Sequence, residues 1–139
     1  MTTTSTSTSG RLPTIHLDKS LVGRLEALAS AMMRRSPQVG ERLMDEIARA
    51  KLVAPGKLRD DAVTIGSEVS YRDLVTGRLQ TVFVVYPENA DIDQHRISVL
   101  TPVGVALLGL SPGAVISWIT RDDETRQLEV VTVKPPVAG

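Results

Sequence analysis

The apolar residues of this chain change period once, near residue 60, and that change limits the fold more than any other feature. Before it, Leu17, Leu21, Leu25, Leu28 and Met32 recur at spacings of 4, 4, 3 and 4, which places them on one face of an α-helix. Val39, Leu43, Ile47 and Ala50 repeat the pattern. Beyond the segment 54–61 the spacing becomes alternating and β-branched, as a half-buried sheet requires. With 139 residues, there is room for one ordinary domain or a small domain with an appendage.

Punctuation refines the first half. Asp18 is a fitting N-cap for the first helix, which then runs to Arg35, and Ser36-Pro37 ends it and starts the second. Serine can cap free amides, and proline fits the first helical position, where no N–H bond is lost. Two such stripes predict an antiparallel hairpin with apolar faces together, the first arm about 27 Å long at roughly 1.5 Å per residue. Gly23 and Gly40 weaken the arms by about 1 kcal/mol each relative to alanine, so the hairpin needs packing support. The expected organisation is a disordered Thr/Ser-rich tail over 1–14, the hairpin over 15–54, a linker over 55–61 and a sheet domain over 62–136.

Strand-like runs fall at Val63–Ile65, Glu68–Arg72, Leu79–Tyr86, Ala114–Thr120 and Leu128–Val133. Thr76-Gly77 supplies a hairpin turn, and Asp122–Thr125 a polar loop. Within this half LTPVGVALLGL, Leu100–Leu110, carries helix signals: Thr101 to cap, Pro102 in the first turn, and Gly109 for the left-handed residue that closes the helix. The fold class is α+β, a helical hairpin followed by an antiparallel sheet with one short helix.

Composition narrows the chemistry. There are no cysteines, hence no disulfides or thiolate sites, and a reducing compartment, the cytoplasm, is expected. The opening MTTTSTSTSG lacks the basic start and apolar run of a signal peptide, and no stretch reaches the length of a membrane span. His16 and His95, the only histidines, lie far apart without metal-ligand spacing and read as solvent-exposed. The acidic loop Glu88–Asp93 lacks the EF-hand pattern and reads as solvated. Neither a GxSxG elbow nor a phosphate-cradling glycine motif occurs. No cofactor and no enzymatic activity are expected.

Net charge is zero, but residues 1–60 carry ten Lys/Arg against six Asp/Glu and residues 61–139 six against ten, giving two halves of opposite sign. Arg34, Arg35 and Arg42 surround the hairpin tip. They could meet phosphate or acidic protein, or simply be solvated, with Arg34 and Arg35 complementing the helix C-terminal dipole. Leu107, Leu108 and Leu110 read as core. Leu100 and Pro102, at the helix entry, read equally as a docking patch or as core.

Three segments, IGSEVSYRD at Ile65–Asp73, TGRLQTVFVVYPENAD at Thr76–Asp91 and ISVLTPVGVALLGLSPG at Ile97–Gly113, together resemble the C-terminal domain of the Gre transcript-cleavage factors. Tyr86-Pro87 and the unbroken TPVGVALLGL are most similar to the bacterial regulator of nucleoside diphosphate kinase family, over about residues 15–135. The resemblance implies an FKBP-like sheet on a short helix, a coiled-coil hairpin before it, and a protein that binds bacterial RNA polymerase at the rim helices of its secondary channel, meeting DNA only through the polymerase. Where Gre factors carry a docking loop like Asp-Ser-Pro, this chain reads Leu100-Thr101-Pro102. Gre cleavage needs an acidic pair at a long hairpin tip to help hold a magnesium ion, whereas this tip has Glu41 among Arg34, Arg35 and Arg42. Occupancy without cleavage follows. The family name also implies nucleoside diphosphate kinase as a second partner, through contact or expression. Prolyl isomerisation is disfavoured, since Tyr71, Phe83, Tyr86 and Trp118 are the only aromatics.

Overall fold

The computed structural model describes residues 12–119 and 122–136; residues 1–11 of the expected tail lie outside the described residues. The first apolar stripe is divided among three elements. Strand β1 is His16–Asp18, a 3-10 turn covers Lys19–Leu21, and helix α1 is Val22–Arg35. Asp18 does cap, but it caps the turn: its carboxylate accepts from the Ser20 amide at 2.8 Å and the Ser20 hydroxyl at 2.6 Å. Such local bonds compete with helical pairing, so the helix starts at Val22 rather than directly after Asp18 and spans about 21 Å. Leu17 is fully buried in the strand.

Ser36 adopts an extended φ of −145° between α1 and helix α2, Pro37–Arg49. Its side chain makes no capping bond, a correction to the expected cap: the break is set by Pro37 at the first position. Strand β2, Lys51–Val53, then pairs in parallel with β1, joining Leu17 to Leu52. This two-stranded sheet closes the base of the hairpin.

The second half holds a five-stranded sheet. Its strands are β3 (Glu68–Asp73), β4 (Leu79–Val85), β5 (Arg96–Ser98), β6 (Val115–Ile119) and β7 (Thr125–Lys134), in the order β5-β4-β3-β7-β6. The sheet is mixed, because β5 runs parallel to β4; the other pairings are antiparallel. A shift of register between Ser70 and Tyr71 leaves Val131 unpaired as a bulge, which raises local twist. Val63–Ile65 is not a strand. The expected turn forms, with Gly77 at φ +81°.

Helix α3, Pro102–Leu107, lies against the sheet. Thr101 caps it, accepting from the Gly104 amide at 3.1 Å and donating to the Ser98 carbonyl at 2.8 Å. Gly109 follows at φ +82°. Its amide donates to the Val63 carbonyl and its carbonyl accepts from the His16 amide, while the Leu110 carbonyl accepts from the Val63 amide. These bonds join the hairpin base, the linker exit and the sheet domain. Leu25, Ala29, Leu43 and Ile47 of the hairpin share one cluster with Val69, Leu107 and Leu128, so the hairpin lies on its own sheet domain and receives the packing support it needs.

A β-carbon at Gly109 would lie 2.6 Å from the Ile15 β-carbon, besides the strain of a positive φ. Gly109→Ala should therefore destabilise the protein by about 3 kcal/mol, read as a lower urea midpoint in one cooperative transition.

Candidate docking site

Helix α2 meets α3 and β6 along an open cleft of about 650 Å³. Val39, Pro102, Val105 and Trp118 supply its apolar lining, and Glu41, Asp45 and Asp122 supply carboxylates. The cleft brings together two residues that the sequence places on separate surfaces: Pro102, exposed at the start of α3, and Arg42 of the hairpin. Arg34 and Arg35 are exposed at the end of α1 and do not line it. Thr101 is half-buried and engaged by its capping bonds. Leu100, also half-buried, packs on the core, so of the two residues that read equally as docking patch or core only Pro102 is exposed.

Arg42 is not a free probe. Its guanidinium lies over the Trp118 ring, 5.3 Å from the centroid, and its Nε is 3.9 Å from Glu46 Oε2. Glu46 is only 4% exposed, and Arg49 lies 2.5 Å from its other oxygen while also donating to the Pro13 carbonyl. Burial holds the Glu46 carboxyl above its usual range despite the opposing pull of Arg49 and Arg42. Burial likewise lowers the Arg42 guanidinium. This triad was legible in part: Glu46 stands beside Ile47 on the apolar stripe, at helical spacing from Arg42 and Arg49.

On the other arm, Arg24 of α1 stacks 3.7 Å from the centroid of Tyr86 and pairs with Glu88. Each helix thus sets one arginine on an aromatic ring of the sheet half. Of the histidines, His95 is exposed, but His16 is half-buried in β1 with its Nδ1 shielded and unpartnered, because the parallel pairing with β2 draws it in. Among the described residues no group of three or more His, Cys, Asp or Glu could hold a metal ion, and no helix is long and apolar enough to cross a membrane.

A mixed sheet with a capped short helix, carrying a helical hairpin at its N-terminal side, is the build of a Gre-type transcription protein. Residues 58–135 match the family "Transcription elongation factor, GreA/GreB, C-term", and residues 13–53 match "Rnk N-terminus". The "Regulator of nucleoside diphosphate kinase" of Escherichia coli K12 is 31% identical over 129 residues, covering 91% of this chain and 95% of that protein. GreA of Rickettsia felis is 35% identical over 92 residues, covering 66% of this chain but 56% of GreA. Among solved structures, a GreA/GreB elongation factor from Nitrosomonas europaea is similar at TM-score 0.68 and 32% identity, with 88% of this chain and 98% of that one covered. The chain belongs to the Gre elongation-factor family and, within it, to the regulators of nucleoside diphosphate kinase.

The Glu46 shift has a definite sign. Its folded pKa lies above the unfolded 4.5, so the native state holds the proton more tightly and stability falls as pH rises from 4.5 through the folded value. Glu46→Gln removes this titration. Urea midpoints across that window should fall less in the variant than in the wild type; parallel curves would contradict the assignment.

Proposed function

We propose that this protein is a non-catalytic regulator of transcription elongation that acts in the bacterial cytoplasm by occupying RNA polymerase at the secondary-channel rim. The FKBP-like sheet half docks through the loop Leu100-Thr101-Pro102, with Pro102 as its exposed member. Arg34 and Arg35 face the channel entrance from the coiled-coil tip, and Arg42, held by Trp118 and Glu46, contributes by positioning the cleft. The supporting observation is the match of residues 58–135 to the GreA/GreB C-terminal domain, with a proline exposed at the start of its short helix.

Transcript cleavage is not part of this function. Glu41 is the single carboxylate of the tip segment 34–42, Asp45 lying a turn further along α2, so the tip lacks the acidic pair that a shared magnesium ion requires, and arms of about 21 Å that lie on their own sheet domain have little reach. The protein competes with Gre factors for the rim and touches DNA only through the polymerase. The name of the Escherichia coli relative supports a second reading, control of nucleoside diphosphate kinase by direct contact, which a complex of the two purified proteins would demonstrate.

Pro102→Asp tests the docking loop cleanly, because aspartate is favoured in the first turn of a helix and the fold should survive. Co-migration with core polymerase is expected to fall at least tenfold. Wild-type protein should displace a Gre factor from the polymerase and leave backtracked transcripts uncut. Undiminished binding by the variant, or shortened transcripts, would refute the reading.

A further inference from the structure

We propose that the cleft between α2, α3 and β6 is a receptor for a basic amphipathic segment of the partner polypeptide, selected by Glu41, Asp45 and Asp122. The proposal rests on the docking reading above only for where that segment comes from. Val39, Pro102 and Trp118 offer apolar surface whose burial would drive binding, over a floor formed by the buried Val105. Around them stand the three exposed carboxylates, none of which has an ion pair among the described residues. The cation in the lining, Arg42, is already committed to Glu46 and to the ring of Trp118.

Among the described residues the lining carries three carboxylates against one cation, a balance that favours lysine or arginine flanking an apolar side chain. Phosphate and nucleic acid would be repelled. A volume of about 650 Å³ accommodates several side chains rather than a single ion. Because α2 belongs to the hairpin while α3 and β6 belong to the sheet half, one bound segment would contact both. The hairpin then acts as half of the docking surface, a role separate from that of Arg34 and Arg35.

Trp118 is the single tryptophan and lines the cleft, so its emission reports occupancy directly. The probes are a synthetic amphipathic peptide of leucine and lysine and its counterpart with glutamate in place of every lysine. The lysine peptide should change Trp118 emission saturably and bind at least tenfold tighter than the glutamate peptide, with the difference shrinking in added salt. Glu41→Gln combined with Asp45→Asn, near-isosteric changes at exposed positions, should weaken the lysine peptide at least fivefold while circular dichroism stays unchanged. The same double variant should weaken core polymerase binding.

Equal affinity for both peptides, or no change in emission, overturns the proposal whatever the polymerase does. If the double variant binds polymerase normally while Pro102→Asp does not, the cleft is not the receptor and the docking loop stands. If wild-type protein ignores polymerase yet the lysine peptide behaves as expected, the docking reading falls and the cleft's preference for basic segments stands.

Discussion

Two consecutive residues, Gly109 and Leu110, hold the molecule together at the backbone. Through Val63 and His16 they connect the segment after α3 to the linker exit and to β1, and the carbonyl of Ile15 in turn accepts from the Lys51 amide at the start of β2. Only a residue without a β-carbon can make this crossing, since Ile15 packs directly against it. The hairpin and the sheet are thereby fixed to each other before any side chain is considered, and the shared apolar cluster consolidates a geometry that the main chain has already chosen.

The cleft is a product of that crossing. Because α3 is anchored at both ends, by Thr101 against Ser98 and by Gly109, it holds Pro102 exposed at the cleft, with Val105 buried behind it. Gly104 allows the close seating, for a β-carbon there would lie 2.3 Å from the Ser98 carbonyl oxygen. The two arginine–aromatic contacts then act at opposite margins. Arg24 on Tyr86 is more exposed and contributes about 1 kcal/mol or less, whereas Arg42 on Trp118 is bound up with the buried Glu46. Such a buried pair adds little net stability but is costly to leave half-made, so it acts chiefly as a constraint on where α2 can sit.

Signals of strong local origin were readable in the sequence. The apolar stripes of α1 and α2, the Thr101-Pro102 start of α3, the left-handed Gly109 and the Gly77 turn all depend on neighbours within a few residues. The three-residue strands β1, β2 and β5 did not show themselves, because so short a run has no period, and their parallel pairing is set by distant backbone. The spacing of Leu17 to Leu21 fits a helical stripe, but Asp18 diverts the chain into a turn. The β-branched run at Val63 predicts a strand, yet the backbone partners of Val63 are the irregular residues after α3. Of the site, Pro102 and Arg42 were each identified by residue type and position, while their meeting in one cleft depends on how the hairpin lies on the sheet, which no local pattern encodes.

The order of strands also bears on how the protein is made. Among the described residues β7 is the last strand, yet it sits inside the sheet, paired with β3 from Glu68–Lys134 to Asp73–Leu128 and with β6 on its other side. A nascent chain can form the β3–β4 ribbon from neighbours in sequence, but the centre of the sheet, and with it part of the packing that supports the hairpin, stays open until β7 emerges. During translation β3 therefore waits with one hydrogen-bonding edge unsatisfied, and this interval, rather than any feature of the finished molecule, is when the chain is most exposed to pairing with a wrong strand.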